Sequence, residues 1–503
     1  MARKSESRGR IMAFGAPMHA AKSSVYSVAA GGVPVPVQVF EDIHYAHFAF
    51  VGKCEVTVAV KPSIGHRNLK FIHRYSVRPM RACVCARQEL NTLAFTLDQP
   101  AKLVIQVNEY QRLFLFADAL DMRAGAPGRK GTVNFADFAS DSRGKALQTK
   151  ELAAAVKATP RNGILYVPPG LYRTGAFRLK SDMTLHLAAG AVIKGSDDPA
   201  DYPVDESCPY WTKLAFLSIA NARNVRVTGY GTIDGNGSVV RAKQHGPHLI
   251  LVRDSRNVTI ENVTVLDSAA WNTTLVNCDN VTLRNIKMIN NRDVLNTDGF
   301  DICSSRHVVL EDSFNYCSDD AAVVKSFPGI KASDIAVKRN VFLTKKSALK
   351  VGTESSADVT DVTFAENDVI ECDRGMTLAV EDGATCRRIR YINNRFELPY
   401  RDARQRLIDF YIWNRSGGGR IQDVLIKDCR ADARWPRSST LIGYDEKNFI
   451  SGVRFENYCY AGKTCECLED ADVVVDVLPF WDIRRAHVHD VTLAPPGNHP
   501  CDR

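Results

Sequence analysis

The stretches "DSRNVTIENVTVLDS" (254–268), "NCDNVTLRNIKMINN" (277–291) and "SSRHVVLEDSFNYC" (304–317) are three versions of one phrase. Each has a polar corner, a short run with apolar residues at alternate positions, an Asn or Asp, and a second short apolar run. The phrase recurs in both directions along the chain. Its first apolar residue falls at Val225, Val258, Val281, Val308, Ile335, Val362, Ile389, Val424 and Val453, at spacings between 23 and 35 residues. An irregular period in the twenties, built of short strands and Asn-rich corners, predicts a parallel β-helix. One such coil cannot bury its own apolar side chains, so coils must stack, with strands about 4.8 Å apart.

Earlier in the chain, "CEVTVAV", "LNTLAFTL", "AKLVIQVN" and "RLFLFAD" alternate apolar and polar residues between polar turns, which predicts a β-sandwich over residues 26–120. The Gly-, Pro- and charge-rich "MRAGAPGRKG" reads as a boundary. The expected organisation is a flexible N-terminus (1–25), the sandwich (26–120), a linker (121–136), the β-helix (137–475) and a C-terminal tail (476–503). "SRGKALQTKELAAAVKA" (142–158) predicts a helix capping the open N-terminal end of the solenoid, where unpaired strand edges would invite aggregation.

Composition bounds the function. The 503 residues are 45% hydrophobic and 24% charged, as in a folded globular chain of about two domains. No apolar run reaches the roughly 18 residues of a membrane helix. The net charge of +8 is spread without a Lys/Arg block, so neither nucleic acid nor membrane is an expected partner. The 14 cysteines lack zinc-ligand spacing and read as free structural thiols. The N-terminal apolar stretch is soon broken by His19 and Lys22, which favours a cytoplasmic protein over an exported one.

"NTDGFDI" (296–302) and "SDDAAVVKS" (318–326) carry the chemistry. Asp298 precedes Asp319 and Asp320 by close to one coil, so the three carboxylates converge if the coils stack. A bend at Cys317-Ser318 would let both members of the pair point outward. Clustered carboxylates divide into protonated and ionised members, and such a set supplies the acid and base of glycoside hydrolysis. Corner carboxylates that cap backbone N–H groups, or that bind a cation, are the competing interpretation.

Together with "ILYVPPGLYRTGAFRLKSDMTLHLAAGAVIKGSDDPADY", "GYGTIDGNG" and "PHLILVRDSRNVTIENVTVLDSAAWN", these motifs resemble the polygalacturonase family of glycoside hydrolases. They also resemble the related dextranase and isopullulanase family, in which a β-sandwich likewise precedes the β-helix. The likeness covers roughly residues 137 to 460. It implies an inverting hydrolase with Asp319 as general acid and with Asp298 and Asp320 holding and deprotonating the water. It also implies an oligo- or polysaccharide substrate, with no metal or organic cofactor. Two departures count against plain polygalacturonate. Ser347 stands where the family carries the His of a Gly-His-Gly motif, and Thr377 and Ala379 stand at the two basic positions of its Arg-Ile-Lys triplet.

A period of 27 residues stacks Asp320 on Ser347 and then Arg374, and Asp319 on Lys346 and then Asp373. Lys346 and Arg374 are therefore candidate substrate contacts. So is Lys325, which shares strand parity with Asp319 and otherwise neutralises the cluster. Glu381 continues the parity of Thr377 and Ala379, and Trp271 and Trp413 (with Tyr411) are candidate sugar platforms. The expected protein is all-β: a right-handed parallel β-helix after a sandwich, hydrolysing an α-linked carbohydrate other than plain polygalacturonate. The alternatives are a pectin-type hydrolase with rearranged uronate contacts and a non-catalytic carbohydrate-binding β-helix. Because Asp298 and Asp319 sit on successive coils, their carboxyls are expected about 6.5–9.5 Å apart, as in inverting enzymes.

Overall fold

The computed structural model describes residues 10–15, 20–61, 71–120, 129–208, 212–400, 405–478, 483–484 and 487–494. Three long sheets of 13, 13 and 11 strands form a right-handed parallel β-helix that begins at Thr132–Asn134. Its neighbouring strands pair in parallel, except where Lys463–Thr464 turns back on Cys459–Tyr460.

The repeated apolar position is one continuous ladder. Met183, Val225, Val258, Val281, Val308 and Ile335 are successive register partners, followed by Val362, Ile389, Val424, Val453 and Val491. All but the last are buried. Their alternation with outward polar residues fixes the register, because a one-residue slip would turn the whole row to solvent. Asn corners reinforce it. The amide of Asn340 donates to Asn367, and that of Asn367 donates to Asn394, each at 2.9 Å.

The expected helix is shorter than predicted. Arg143–Leu147 is a strand paired with Gly170–Thr174, and the helix spans only Thr149–Ala158. Gly144 has φ +75°, a left-handed conformation that no α-helix continues through. The helix does close the end of the solenoid, through buried Leu152, Ala155 and Val156.

The N-terminal sandwich pairs a seven-stranded with a five-stranded sheet around Tyr26, Phe48, Val56, Leu103 and Leu115. Strands also form outside the expected boundaries. Ile11–Ala13 pairs with Ile43–Phe50 within the stretch expected to be flexible. Val488–Ala494 pairs with Ile450–Glu456 within the expected tail and extends the first long sheet. Thr132–Asn134, within the expected linker, is already a coil strand; residues 121–128 lie outside the described set. The 13 described cysteines are all free, and most are buried.

The sandwich lies on the second long sheet of the solenoid. Ile43, Tyr45, Phe114 and Phe116 pack against Leu266, Ile289, Phe314 and Leu343. Behind them, fully buried Lys287 reaches Asp118 of the sandwich at 2.8 Å, and Asp118 also meets His47 at 2.8 Å. Burial opposes ionisation of Asp118, but these two partners hold its carboxyl well below the usual range. The surface that anchors the sandwich includes Phe314–Cys317, the strand leading directly to Asp319.

Candidate active site

The third long sheet carries the site. Phe300–Cys303, Ala322–Ser326, Ser347–Ser355, Arg374–Val380 and Arg406–Ile412 are successive parallel strands. Asp298 sits just before the first, and Asp319 and Asp320 just before the second. The two coils are tied together by Gly299 N–H donating to the Asp320 carbonyl at 2.8 Å. Glycine is needed there, since a Cβ at Gly299 would run into the Asn315 amide and the Ala321 carbonyl. The turns are bound side to side: Thr297 Oγ1 and Ser318 Oγ lie 2.8 Å apart, and Ser318 Oγ donates to the Val294 carbonyl at 2.6 Å.

The bend at Ser318-Asp319 turns both aspartates into the groove. One carboxylate oxygen from each of Asp298, Asp319 and Asp320 lies within 4.8 Å of the other two. The trio is therefore gathered as expected. The 4.8 Å limit is between nearest oxygens, whereas the expected gap of about 6.5–9.5 Å is between whole carboxyl groups. The turns bring one oxygen of each side chain toward a common point. Oxygens this close would also suit a divalent cation. Two ammonium groups already supply neutralising charge: Lys350 is 2.7 Å from Asp320, and Lys325 is 3.7 Å from Asp298.

The three carboxyls have different environments. Burial disfavours the ionised form of Asp320, yet Lys350, Arg374 and Lys325 pull its carboxyl below the ordinary value. Asp319 is raised by burial and by the Asp320 charge. Asp298 is raised well above the usual carboxylate range by burial and by Asp301, against the pull of Lys325. Asp301, two residues into the next strand's register, is itself pushed up to about 7 by burial, with Lys325 at 2.9 Å pulling the other way.

Of the expected substrate contacts, Lys325 lies within the acidic cluster itself. It is 3% exposed and enclosed by Asp298, Asp301 and Glu354, with its ammonium 3.5 Å from the centre of the Trp271 ring. Its ammonium is shared among these carboxylates and covers one face of half-buried Trp271. The predicted stacking of Asp320 on Ser347 and Arg374 is present: Ser347 N–H donates to Asp320 Oδ1 at 3.2 Å, and Ser347 pairs with Arg374. Lys346 is exposed beside Asp319. Arg374 lies between Asp373 (3.6 Å) and Asp409 (3.7 Å). Glu381 accepts from Tyr411 at 3.3 Å and faces Arg415 at 3.6 Å. Trp413 is 60% exposed, edge-on to Tyr444.

Two residues were missed in the sequence: Lys350 and Asp301. Lys350 is the register partner of Thr377, so the same 27-residue step taken backward from that groove position would have found it. Asp301 stands in the quoted "NTDGFDI" and pairs with Val323 on the next coil.

With this geometry in place, the comparison with known proteins is specific. Residues 167–398 match the family model of glycosyl hydrolases family 28. A probable polygalacturonase of Vitis vinifera is 29% identical over 282 residues, which is 50% of this chain and 57% of the relative. The chain thus spans little more than half the length of that relative. Among solved structures, Dex49A from Penicillium minioluteum aligns over 96% of each chain at 13% identity, with a TM-score of 0.63. A family 28 exopolygalacturonase of Yersinia enterocolitica aligns over 88% of this chain and 97% of its own, at 16% identity and a TM-score of 0.57. The polygalacturonase-type resemblance read from the motifs therefore stands, and these structures share the fold from the sandwich through the solenoid.

Proposed function

We propose that this protein is an inverting glycoside hydrolase acting on an α-linked carbohydrate other than plain polygalacturonate. The observation that carries the reading is the division of the trio: one carboxyl held toward its protonated form beside one held ionised by Lys350. Asp319 donates its proton to the glycosidic oxygen as the bond to the anomeric carbon breaks. Asp320 accepts a proton from the water that forms the new bond to that carbon, and Asp298 orients this water. Two oxygens up to 4.8 Å apart are bridged by one water with hydrogen bonds of about 2.8 Å to each, at an angle no wider than roughly 118°. A water held between Asp298 and Asp320 is thereby placed to attack the anomeric carbon.

The substrate preference rests on the groove row after Lys350, where Thr377 and Ala379 are fully buried and uncharged. A uronate at that rung has neither a bidentate nor a point-charge partner. One observation favours a second reading, a pectin-type hydrolase with rearranged contacts. Lys346 is exposed beside Asp319, and Arg374 has its Nε buried without a hydrogen-bond partner.

Digestion of a glycan panel, read by reducing-end release and by proton NMR of the first product, tests both. Cleavage of a neutral or mixed α-linked polymer with inverted product and little activity on unmodified polygalacturonate is expected. Robust release of galacturonate oligomers from that polymer would restore the pectin reading, and Lys346→Ala or Arg374→Ala would then raise KM sharply. Retained anomeric configuration would overturn the inverting step.

A further inference from the structure

Between the sandwich and the solenoid lies an open pocket of about 530 Å³. Its solenoid wall is the turn Asn291–Asp293, together with Tyr316, Lys345 and Tyr400. Its sandwich wall includes Asp42, Tyr110, Gln111 and Arg112. The turn is shared with the active site. It continues to Thr297 and Asp298, and its Arg292 carbonyl accepts from Lys345 at 2.7 Å, one residue after the Thr344 hydroxyl that donates to the Asp319 carbonyl.

The cavity contains a built recognition group. Arg292 is 7% exposed, and its guanidinium is held between the rings of Tyr316 (4.7 Å) and Tyr400 (4.9 Å). Its Nη1 donates to Glu371 at 2.9 Å, whereas buried Nε and Nη2 make no well-directed hydrogen bond, with the Tyr316 hydroxyl as their nearby acceptor. Buried polar groups are nearly always satisfied, so two incompletely satisfied donors on a fixed guanidinium mark a place for acceptor atoms. Opposite them, exposed Asp42 accepts from Tyr316 Oη at 2.9 Å and retains lone pairs for a donor.

We propose that this cavity is an accessory saccharide site that binds a neutral, hydroxyl-rich segment of the substrate away from the cleaved bond. The proposal rests on the hydrolase reading for the identity of its substrate. Sugar hydroxyls both donate and accept, matching the pairing of these guanidinium donors with a carboxylate acceptor. Tyr110, on the sandwich wall, supplies an apolar ring of the kind sugars also need. An acidic sugar fits worse. The lining holds four carboxylates, Glu41, Asp42, Asp293 and Glu371, against three cations, Arg112, Arg292 and Lys345. Each of those cations already faces one of the carboxylates. The sandwich domain thereby contributes directly to substrate capture.

The test uses the full chain with Asp319→Asn, so that binding is measured without turnover, and two probes: isomaltohexaose and trigalacturonate. Calorimetric titration is repeated with Gln111→Trp, which places bulk on the exposed rim, and with Asp42→Ala. The expected result is binding of isomaltohexaose that either change weakens at least tenfold, with no comparable loss for trigalacturonate. Isomaltohexaose binding untouched by both changes, or no binding of that probe at all, overturns the accessory site and leaves the hydrolase reading intact. Tighter binding of trigalacturonate, weakened by the same changes, overturns the neutral assignment. If the wild-type chain hydrolyses no glycan while the expected binding pattern holds, the hydrolase reading fails and the site stands.

Discussion

Asp298 and Asp320 lie on adjacent coils, 3% and 4% exposed, with oxygens within 4.8 Å of each other, yet their protonation is pushed in opposite directions. The difference lies in how cations are shared. On the Asp298 side, Lys325 serves Asp298, Asp301 and Glu354 together, so one positive charge is divided among three acids. On the Asp320 side, Lys350 is committed at 2.7 Å, with Arg374 behind it. Burial alone would raise both carboxyls. The ratio of cations to acids decides which one stays ionised, and the fold sets that ratio by what it stacks on the next rung.

The largest effect that sharpens this comparison is on turnover. Asparagine mimics the neutral acid, so Asp320→Asn should reduce kcat by about 10²–10⁴-fold, as expected for loss of a general base. Asp298→Asn should cost less, because Asp298 is already held toward its neutral form. Steady-state kinetics on the best panel substrate measure both, and a greater loss for Asp298→Asn would exchange their roles. Stability separates the sides next. Lys325→Met removes the one cation buried among three acids and should destabilise the fold by about 3–5 kcal/mol. Lys350→Met, which strands fewer charges, should cost less; urea unfolding at neutral pH would expose equal or reversed losses.

Lys350→Met should instead change the pH profile. Lys350 lowers the Asp320 carboxyl, so its removal raises that carboxyl. The base then needs a higher pH to ionise, and the acidic limb of kcat/KM moves upward. An unmoved limb would mean that Lys350 does not set the protonation of Asp320. The smallest effect is expected at the far end of the groove. Trp413→Ala should raise KM roughly fivefold with kcat unchanged, equivalent to about 1 kcal/mol of ring stacking. A change in kcat alone would remove Trp413 from the binding surface.

The solenoid was legible in the sequence to the residue, because each Val or Ile of the repeated phrase must point inward and sits one coil from the next. From Val281 to Ile389 the step is constant at 27 residues, so even Asp320 over Ser347 and Arg374 could be placed. What escaped depends on local backbone and on side-chain direction. The helix was drawn too long because Gly144 interrupts a run of good helix formers. The first strands of the sandwich lie in a stretch with little alternation. The closeness of the nearest oxygens was not legible, because rung spacing constrains backbones, whereas short side chains at a turn can converge. Lys350 lies one coil back from Thr377, a position that stacking forward from the aspartates does not reach.

The central claim is that Asp319 supplies the proton to the departing sugar oxygen. The most direct measurement compares Asp319→Asn with the unaltered chain on two substrates of the same sugar, one with a natural sugar leaving group and one with a p-nitrophenyl leaving group. The acid matters only where the leaving oxygen needs a proton. A kcat loss of about 10²–10⁴-fold is expected on the natural glycoside and a much smaller loss on the activated one, with unchanged folding. Equal losses on the two substrates, or turnover of the natural glycoside close to that of the unaltered chain, would contradict that claim.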